Sequence, residues 1–338
     1  MINPLILSPI IVSFALCLFF IPFWLRKGKT INYLWKDMNK FERNQNVIGS
    51  GGLIVILSFV LGVLYYIAIR TFLIGSDNLI SLQIFSLLGV ILIFAILGFV
   101  DDFLGWEKGG LSIRFRLFLA FFASIPLVVI NVGNPTINLP FMGTINIGLW
   151  YPLILIPLGI AGASTTYNFL AGFNGLETGQ GIIILSFLSF VSYVTGTPWL
   201  ALIGLIMVAS LLAFYFYNKY PSKVFPGDVL TWSVGALIAI MTILGNFEKI
   251  AAFIFIPYII EMFLKLRGKL KKHSFAKPNK DGSLEMPYDK IYGLTHLSLF
   301  ILKKFKKKVY EKDVVYLIFV VQIIICLLTL ILFRGSLF

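Results

Sequence analysis

The chain has 338 residues, a mean hydropathy of +0.93 and only 13% charged residues against 59% hydrophobic ones. That balance excludes an ordinary soluble domain, in which roughly a quarter of residues are charged, and points to a polytopic membrane protein. The formal net charge is +13, yet no basic folded domain stands apart from the apolar runs, which argues against nucleic acid as a partner.

The hydropathy pattern predicts an all-α integral membrane protein forming a single transmembrane catalytic domain over residues 1–338. Apolar runs long enough to cross a roughly 30 Å hydrocarbon core as helices begin near Leu5, Gly52, Leu82, Phe115, Gly148, Gly181, Leu200, Val229, Ala251 and Val314. About ten spans result, and the short break Thr195-Gly196-Thr197-Pro198 leaves nine or eleven open. The first run is too long for a signal-peptide core, and its basic cluster, Arg26-Lys27-Gly28-Lys29, follows it rather than precedes it. A retained helix is expected.

With the amino terminus outside, the inner loops are roughly 26–49, 101–116, 164–180, 218–228 and 265–312. They hold 25 of the 28 lysines and arginines, and only Arg70, Lys249 and Arg334 fall elsewhere. The positive-inside rule supports this topology, with both termini outside and the loops on the cytoplasmic face. Anionic headgroups and phosphorylated substrates suit such a face.

Taken in chain order, the unusual polar motifs share that face. Asp101 and Asp102, in GFVDDFLGW at 98–106, follow about twenty apolar residues. Neighbours on a helix point about 100° apart, so one carboxylate is expected to face a site and the other a supporting partner. LSIRFRLF, 111–118, places Arg114 and Arg116 at the next helix start. In NFLAGFNGLETGQG, 168–181, Asn168 and Asn174 lie among glycines that let backbone approach a ligand. Asp228 follows Pro226-Gly227 and opens a helix, where its charge suits the dipole; a plain cap is the other reading. The last loop carries Lys271-Lys272-His273-Ser274-Phe275.

Carboxylate and amide oxygens suit magnesium, with manganese as the alternative ion. Zinc would want clustered Cys or His. Cys17 and Cys326 lie in separate apolar runs, and the histidines are His273 and His296 alone. No role is assigned to His296, so alanine there is expected to be nearly silent. An anion transporter is the rival class, but it calls for ionisable groups at mid-membrane depth and usually an internal repeat.

The segments KDMNK (36–40), GFVDD (98–102), NFLAGFNGLETGQ (168–180), FPGD (225–228) and GSLEMPYDK (282–290) resemble, in order, the polyprenyl-phosphate N-acetylhexosamine-1-phosphate transferases. Within them the chain is most similar to the dolichyl-phosphate GlcNAc-1-phosphotransferase branch of eukaryotes and archaea. Ala171-Gly172-Phe173-Asn174-Gly175 stands where the bacterial translocase using UDP-MurNAc-pentapeptide has an aspartate-rich loop, and that substrate is the alternative within the family.

The resemblance implies transfer of GlcNAc-1-phosphate from UDP-GlcNAc to a polyprenyl or dolichyl phosphate, with UMP released. This would be the first membrane step of lipid-linked glycan assembly, in N-glycosylation or surface polysaccharide synthesis. The setting would be the cell membrane, or the endoplasmic reticulum in a eukaryote. It further implies that Asp228 and Asn168 hold magnesium, that Asn174 lies near the uracil, and that Asp101, assisted by Asp102, positions or deprotonates the lipid phosphate. Arg116 lies where the family typically has a lysine on the substrate phosphates. His273 matches the family's basic loop, where Lys272 and Ser274 replace arginines of eukaryotic relatives and Lys277 adds a cation. Asn39 and Lys40 match the first-loop pattern. A homodimer is admitted.

Overall fold

The computed structural model describes residues 4–41, 46–75, 78–108, 110–139 and 143–337; Arg43 and Asp77 lie outside the described residues. The chain folds as a helical bundle. In order, the helices are α1 (Ser8–Thr30), α2 (Gly52–Ile69), α3 (Asn78–Lys108), α4 (Ile113–Ala123), α5 (Ile125–Val129), α6 (Ile156–Phe169), α7 (Leu176–Val194), α8 (Pro198–Asn218), α9 (Asp228–Gly245), α10 (Glu248–Ile254), α11 (Ile256–Arg267), α12 (Leu294–Phe305) and α13 (Glu311–Leu332). Three short antiparallel hairpins decorate the connections: Leu34–Lys36 with Asn46–Ile48, Thr136–Leu139 with Gly143–Asn146, and Lys277–Pro278 with Leu284–Glu285.

Seven of the described helices are long and apolar enough to cross a membrane: α1 with its leading turn, α2 with its trailing turn, α3, α7, α8, α9 and α13. The other three apolar runs are helical but interrupted. Pro126 parts α4 from α5, and the Ser124 hydroxyl donates to the Phe121 carbonyl, 2.7 Å away, at the break. A π-helical turn, Tyr151–Leu155, precedes α6, and Pro257 parts α10 from α11. Proline removes a ladder donor and crowds the preceding turn, which explains why continuous hydropathy yields broken helices here.

The most enclosed helix is α9, packed between α3 and α6, and its apolar residues face protein almost all round. Some polar side chains inside the bundle find their partners on neighbouring helices. Ser13 on α1 donates within 3.2 Å of the Ser58 and Ile206 carbonyls and shares a hydrogen bond with the Ser210 hydroxyl. Hydrocarbon offers no substitute for such partners.

The loop before α2 and the loop before α9 are zipped together. Phe225 donates its N–H to the Ile48 carbonyl at 2.8 Å, while Gly51 and Gly52 donate to Phe225 and Pro226, each at 2.9 Å. Gly98 lets α3 meet the start of α9, since a Cβ there would lie 2.6 Å from the Asp228 backbone. These contacts bring one end of α3, the first loop and the first residue of α9 to a single point.

Candidate active site

At that point the two adjacent aspartates diverge. Asp102 is buried and turned toward α9, where Oδ1 accepts the Asp228 N–H at 2.8 Å and Oδ2 accepts the Val229 N–H at 3.3 Å. It caps a helix that its own segment does not belong to. Ser50 donates its hydroxyl to Asp102 Oδ2 at 2.9 Å, and Tyr33 bonds the same hydroxyl at 2.7 Å. Gly227 is required beside them, because its φ of +75° suits glycine and a Cβ would fall 2.2 Å from Asp102 Oδ2.

Asp101 faces the other way. Its Oδ1 accepts the Leu111 N–H at 2.6 Å, and its Oδ2 pairs with Arg116 Nη2 at 2.8 Å. The same guanidinium donates from Nε to the Leu111 carbonyl at 2.9 Å and sets Nη1 3.5 Å from Asp228 Oδ2. Arg116 thus bridges two carboxylates from different helices while remaining partly open, as does Asp228. Two carboxylates, Asp101 and Asp228, therefore share one guanidinium, with Asp102 behind them on the start of α9. Arg114, on the same turn, makes no ion pair among the described residues.

A second cluster closes the polar loops on one another. Asn39 donates from Nδ2 to the Gly172 carbonyl at 2.7 Å and accepts the Ala276 N–H at 3.0 Å, tying three loops together. Asn174 donates its N–H to Glu311 at 2.7 Å and its Nδ2 to Asp37 at 3.2 Å. Lys40 pairs with Glu311 and Asp37 and lies 4.2 Å from the centre of the Tyr220 ring. Glu311 was not singled out in the sequence, and Asp37, within KDMNK, and Ser50 carried no assigned partner. Ser50 lies among Gly49, Gly51 and Gly52, a hint of close backbone packing, but nothing local names its partner.

The basic loop stands apart from the Asp101–Arg116–Asp228 cluster, with no hydrogen bond or ion pair to it among the described residues. His273 and Lys277 are exposed, and His273 stacks on Phe275, whose ring packs against Gly172. Lys272 sits over Tyr288 and Tyr292, 4.7 and 5.8 Å from the ring centres. Ser274 is buried, donates to the Phe169 carbonyl at 3.3 Å and accepts from Lys265 at 2.5 Å. His296 is 1% exposed, its Nε2 lies 3.3 Å from the Phe275 carbonyl, and its ring meets Tyr288 edge-on. His296 thus packs beneath the basic loop, a structural place that the sequence did not suggest. Burial holds its imidazole below the usual histidine range, and the nearby Lys265 charge acts in the same direction.

The donors here fit a hard divalent cation. Asn168, in the last turn of α6, is partly exposed and its side chain makes no hydrogen bond among the described residues. Gly235 of α9 packs on Ser164 of α6, a Cβ at Gly235 falling 2.6 Å from the Ser164 Cα. From that contact toward the loop end, Asn168 is roughly 6 Å along one axis and Asp228 roughly 10 Å along the other, at 1.5 Å per residue. One carboxylate and one amide oxygen are what magnesium takes when phosphates and water fill its other positions. Among the described residues no group of three or more His, Cys, Asp or Glu could hold a metal alone. A shared site with substrate oxygens is the arrangement these residues permit.

The chain is similar to several known proteins. The glycosyl transferase family 4 profile matches residues 84–246, the stretch that carries Asp101, Arg116, Asn168 and Asp228. A Saccharolobus solfataricus protein is 36% identical over 308 residues, 90% of each chain; its name assigns it provisionally as a UDP-N-acetylglucosamine–dolichyl-phosphate N-acetylglucosaminephosphotransferase. The Dictyostelium discoideum enzyme of that name is 33% identical over 198 residues, 49% of this chain and 47% of its own. A phospho-N-acetylmuramoyl-pentapeptide-transferase from a Wolbachia strain is 28% identical over 228 residues, 64% of this chain and 66% of its own. With nine-tenths of its length aligned to the first of these relatives, and its acidic mouth inside the matched segment, the chain belongs to glycosyl transferase family 4.

Proposed function

We propose that this protein transfers GlcNAc-1-phosphate from UDP-GlcNAc to a polyprenyl phosphate of the dolichyl type, giving GlcNAc-diphosphate-lipid and UMP. The observation that carries the reading is the Asp101–Arg116–Asp228 cluster at the end of a lipid-exposed bundle, where a membrane-held phosphate and a soluble nucleotide can meet. The similarity to the Saccharolobus and Dictyostelium proteins supports the choice of sugar and lipid.

In this reading all ten apolar runs cross the bilayer, the polar loops face the cytoplasm, and both termini lie outside. The isoprenoid chain enters an apolar groove of about 780 Å³ that follows α6 from Leu155 to Thr166 and is walled by α9 and α10. The groove's walls at Ile238 to Phe247 lie in and just beyond the half of α9 far from Asp228, so a tail occupying it extends away from the acidic mouth. A terminal oxygen of the lipid phosphate attacks the sugar-bearing phosphorus of UDP-GlcNAc. The bond from that phosphorus to the bridging oxygen breaks, and UMP leaves with the oxygen.

A phosphate monoester is largely ionised near neutrality, its second pKa being about 6, so the attack needs positioning more than a base. Both Asp101 oxygens are engaged, which suits a carboxylate that holds Arg116 in place. Arg116 can present its fork to a phosphate while keeping Asp101, because its link to Asp228 is the longer one. Magnesium held by Asp228 and Asn168 would neutralise charge on the diphosphate. Asn174, held between Asp37 and Glu311, lies near the nucleotide in this reading.

The test is UMP release by purified protein given UDP-GlcNAc and dolichyl phosphate, with magnesium or with a chelator. Magnesium-dependent UMP together with lipid-linked GlcNAc-diphosphate is expected. Product only with another UDP-N-acetylhexosamine would reassign the sugar, and no product from folded protein across several polyprenyl phosphates would overturn the reading.

A further inference from the structure

Helix α12 has a buried, largely polar side and an apolar outward side. Thr295, His296, Ser298 and Leu299 are buried against the protein, and Thr295 donates to the Ser274 carbonyl at 2.8 Å. The outward side carries Phe300, Ile301 and Phe305, which are 44%, 39% and 82% exposed. A helix whose outer side met water would carry polar residues there. Large apolar residues on that side, followed by lysines, describe a helix lying in a bilayer interface.

The lysines occupy the end where α12 turns into α13, which begins at Glu311. Lys306 and Lys308 are spent on Asp313 and Asp281, each at 2.8 Å, and Lys303 approaches Glu285 at 4.0 Å. Lys304, Lys307 and Lys312 are exposed and make no ion pair among the described residues. Lys304 lies on the outward side with the aromatic residues, its ammonium 4.8 Å from the centre of the Phe300 ring. Uncompensated ammonium groups and inserted phenylalanines thus meet at the inner end of a membrane-spanning helix. The complement is a surface that is hydrocarbon just below and anionic just above.

We infer that α12 and the lysine-rich turn after it form an interfacial anchor that binds the anionic headgroups of bilayer phospholipids. The inference shares with the proposed function only the placement of this loop at the membrane surface. Its test needs no turnover, so a protein failing the transferase assay can still pass or fail here.

The experiment places a bimane label on Ile301→Cys of the full chain in vesicles of phosphatidylcholine with one-fifth phosphatidylglycerol and no polyprenyl phosphate. Brominated acyl chains are put on one lipid or the other, with quenching compared per mole of brominated lipid. Brominated phosphatidylglycerol is expected to quench about twofold or more better than brominated phosphatidylcholine, since lysines at the surface attract anionic headgroups. The preference should vanish in the combined Lys304→Gln, Lys307→Gln, Lys312→Gln variant and in 1 M salt, where screening acts within about 3 Å. Equal quenching by both lipids, or a label quenched by aqueous iodide and by neither lipid, would overturn the inference. A label on exposed Leu328 of α13 serves as reference, and an equal preference there would also overturn it.

Discussion

Asp102 accepts the backbone N–H of Asp228 at 2.8 Å, so one acidic residue of the mouth sets the position of another. Asp102→Ala is expected to lower stability by about 1–2 kcal/mol, the usual cost of a lost cap, and to misplace Asp228. Asp102→Asn keeps one acceptor oxygen and should melt between the two. Thermal unfolding in detergent, read beside UMP release, checks this; an Asp102→Ala protein with unchanged melting and turnover would refute the capping role.

Asp228→Asn and Asp101→Asn should each reduce turnover by about a hundredfold or more while leaving the protein inserted, the scale seen when preorganised charge is removed from a reacting centre. Arg116→Lys keeps the charge but loses the planar fork that reaches both carboxylates, and about a tenfold loss is expected. Initial rates of UMP release from protein that elutes as a single folded species decide the matter, near-normal rates rejecting the assignments.

Gly159 and Gly162 line the apolar groove, and a Cβ at either would meet nothing within 4 Å. Gly162→Ala should therefore stabilise by about 0.4–1 kcal/mol, since helix-interior glycine loses more backbone freedom on folding. Leucine at either position should raise KM severalfold for a long polyprenyl phosphate and leave a short-chain acceptor unaffected. Equal effects on both acceptors would place the chain elsewhere.

His296 gives a pH signature. Its folded pKa is depressed below the ordinary value of about 6.5, so in that window the unfolded loop binds more protons than the folded one. Stability is then full above about pH 6.5 and declines as the pH falls below it. Limited proteolysis of the 271–293 segment at pH 7.5 and 5.5 should show faster cleavage in acid. His296→Gln should flatten that difference, and wild-type cleavage independent of pH would contradict the burial argument.

The hydropathy of the chain was sufficient to locate every apolar run, because a bilayer demands long stretches of uniform character and the sequence records them directly. It did not reveal which runs break, since Pro126 and Pro257 act through local geometry that an averaged hydropathy does not see. It also overlooked His296, whose burial comes from packing against Phe275 and Tyr288 rather than from anything beside it in the chain.

The motifs, likewise, were visible as residues and their order: VDD, the Asn and Gly loop, PGD and the basic stretch, all assigned to one face by the distribution of lysine and arginine. Division of labour among them was not visible. That Asp102 caps α9, that Asp101 holds Arg116, that Lys40 and Glu311 lock Asn174, and that Lys272 is held by tyrosines all depend on helices meeting from distant parts of the chain. Sequence by itself determined the solvent, the position of the apolar runs and the chemistry available, because each is a property of single residues or short runs. Only the tertiary structure decided which carboxylate meets the cation and which one builds the scaffold, because hydrogen-bond partners are chosen by packing across the bundle.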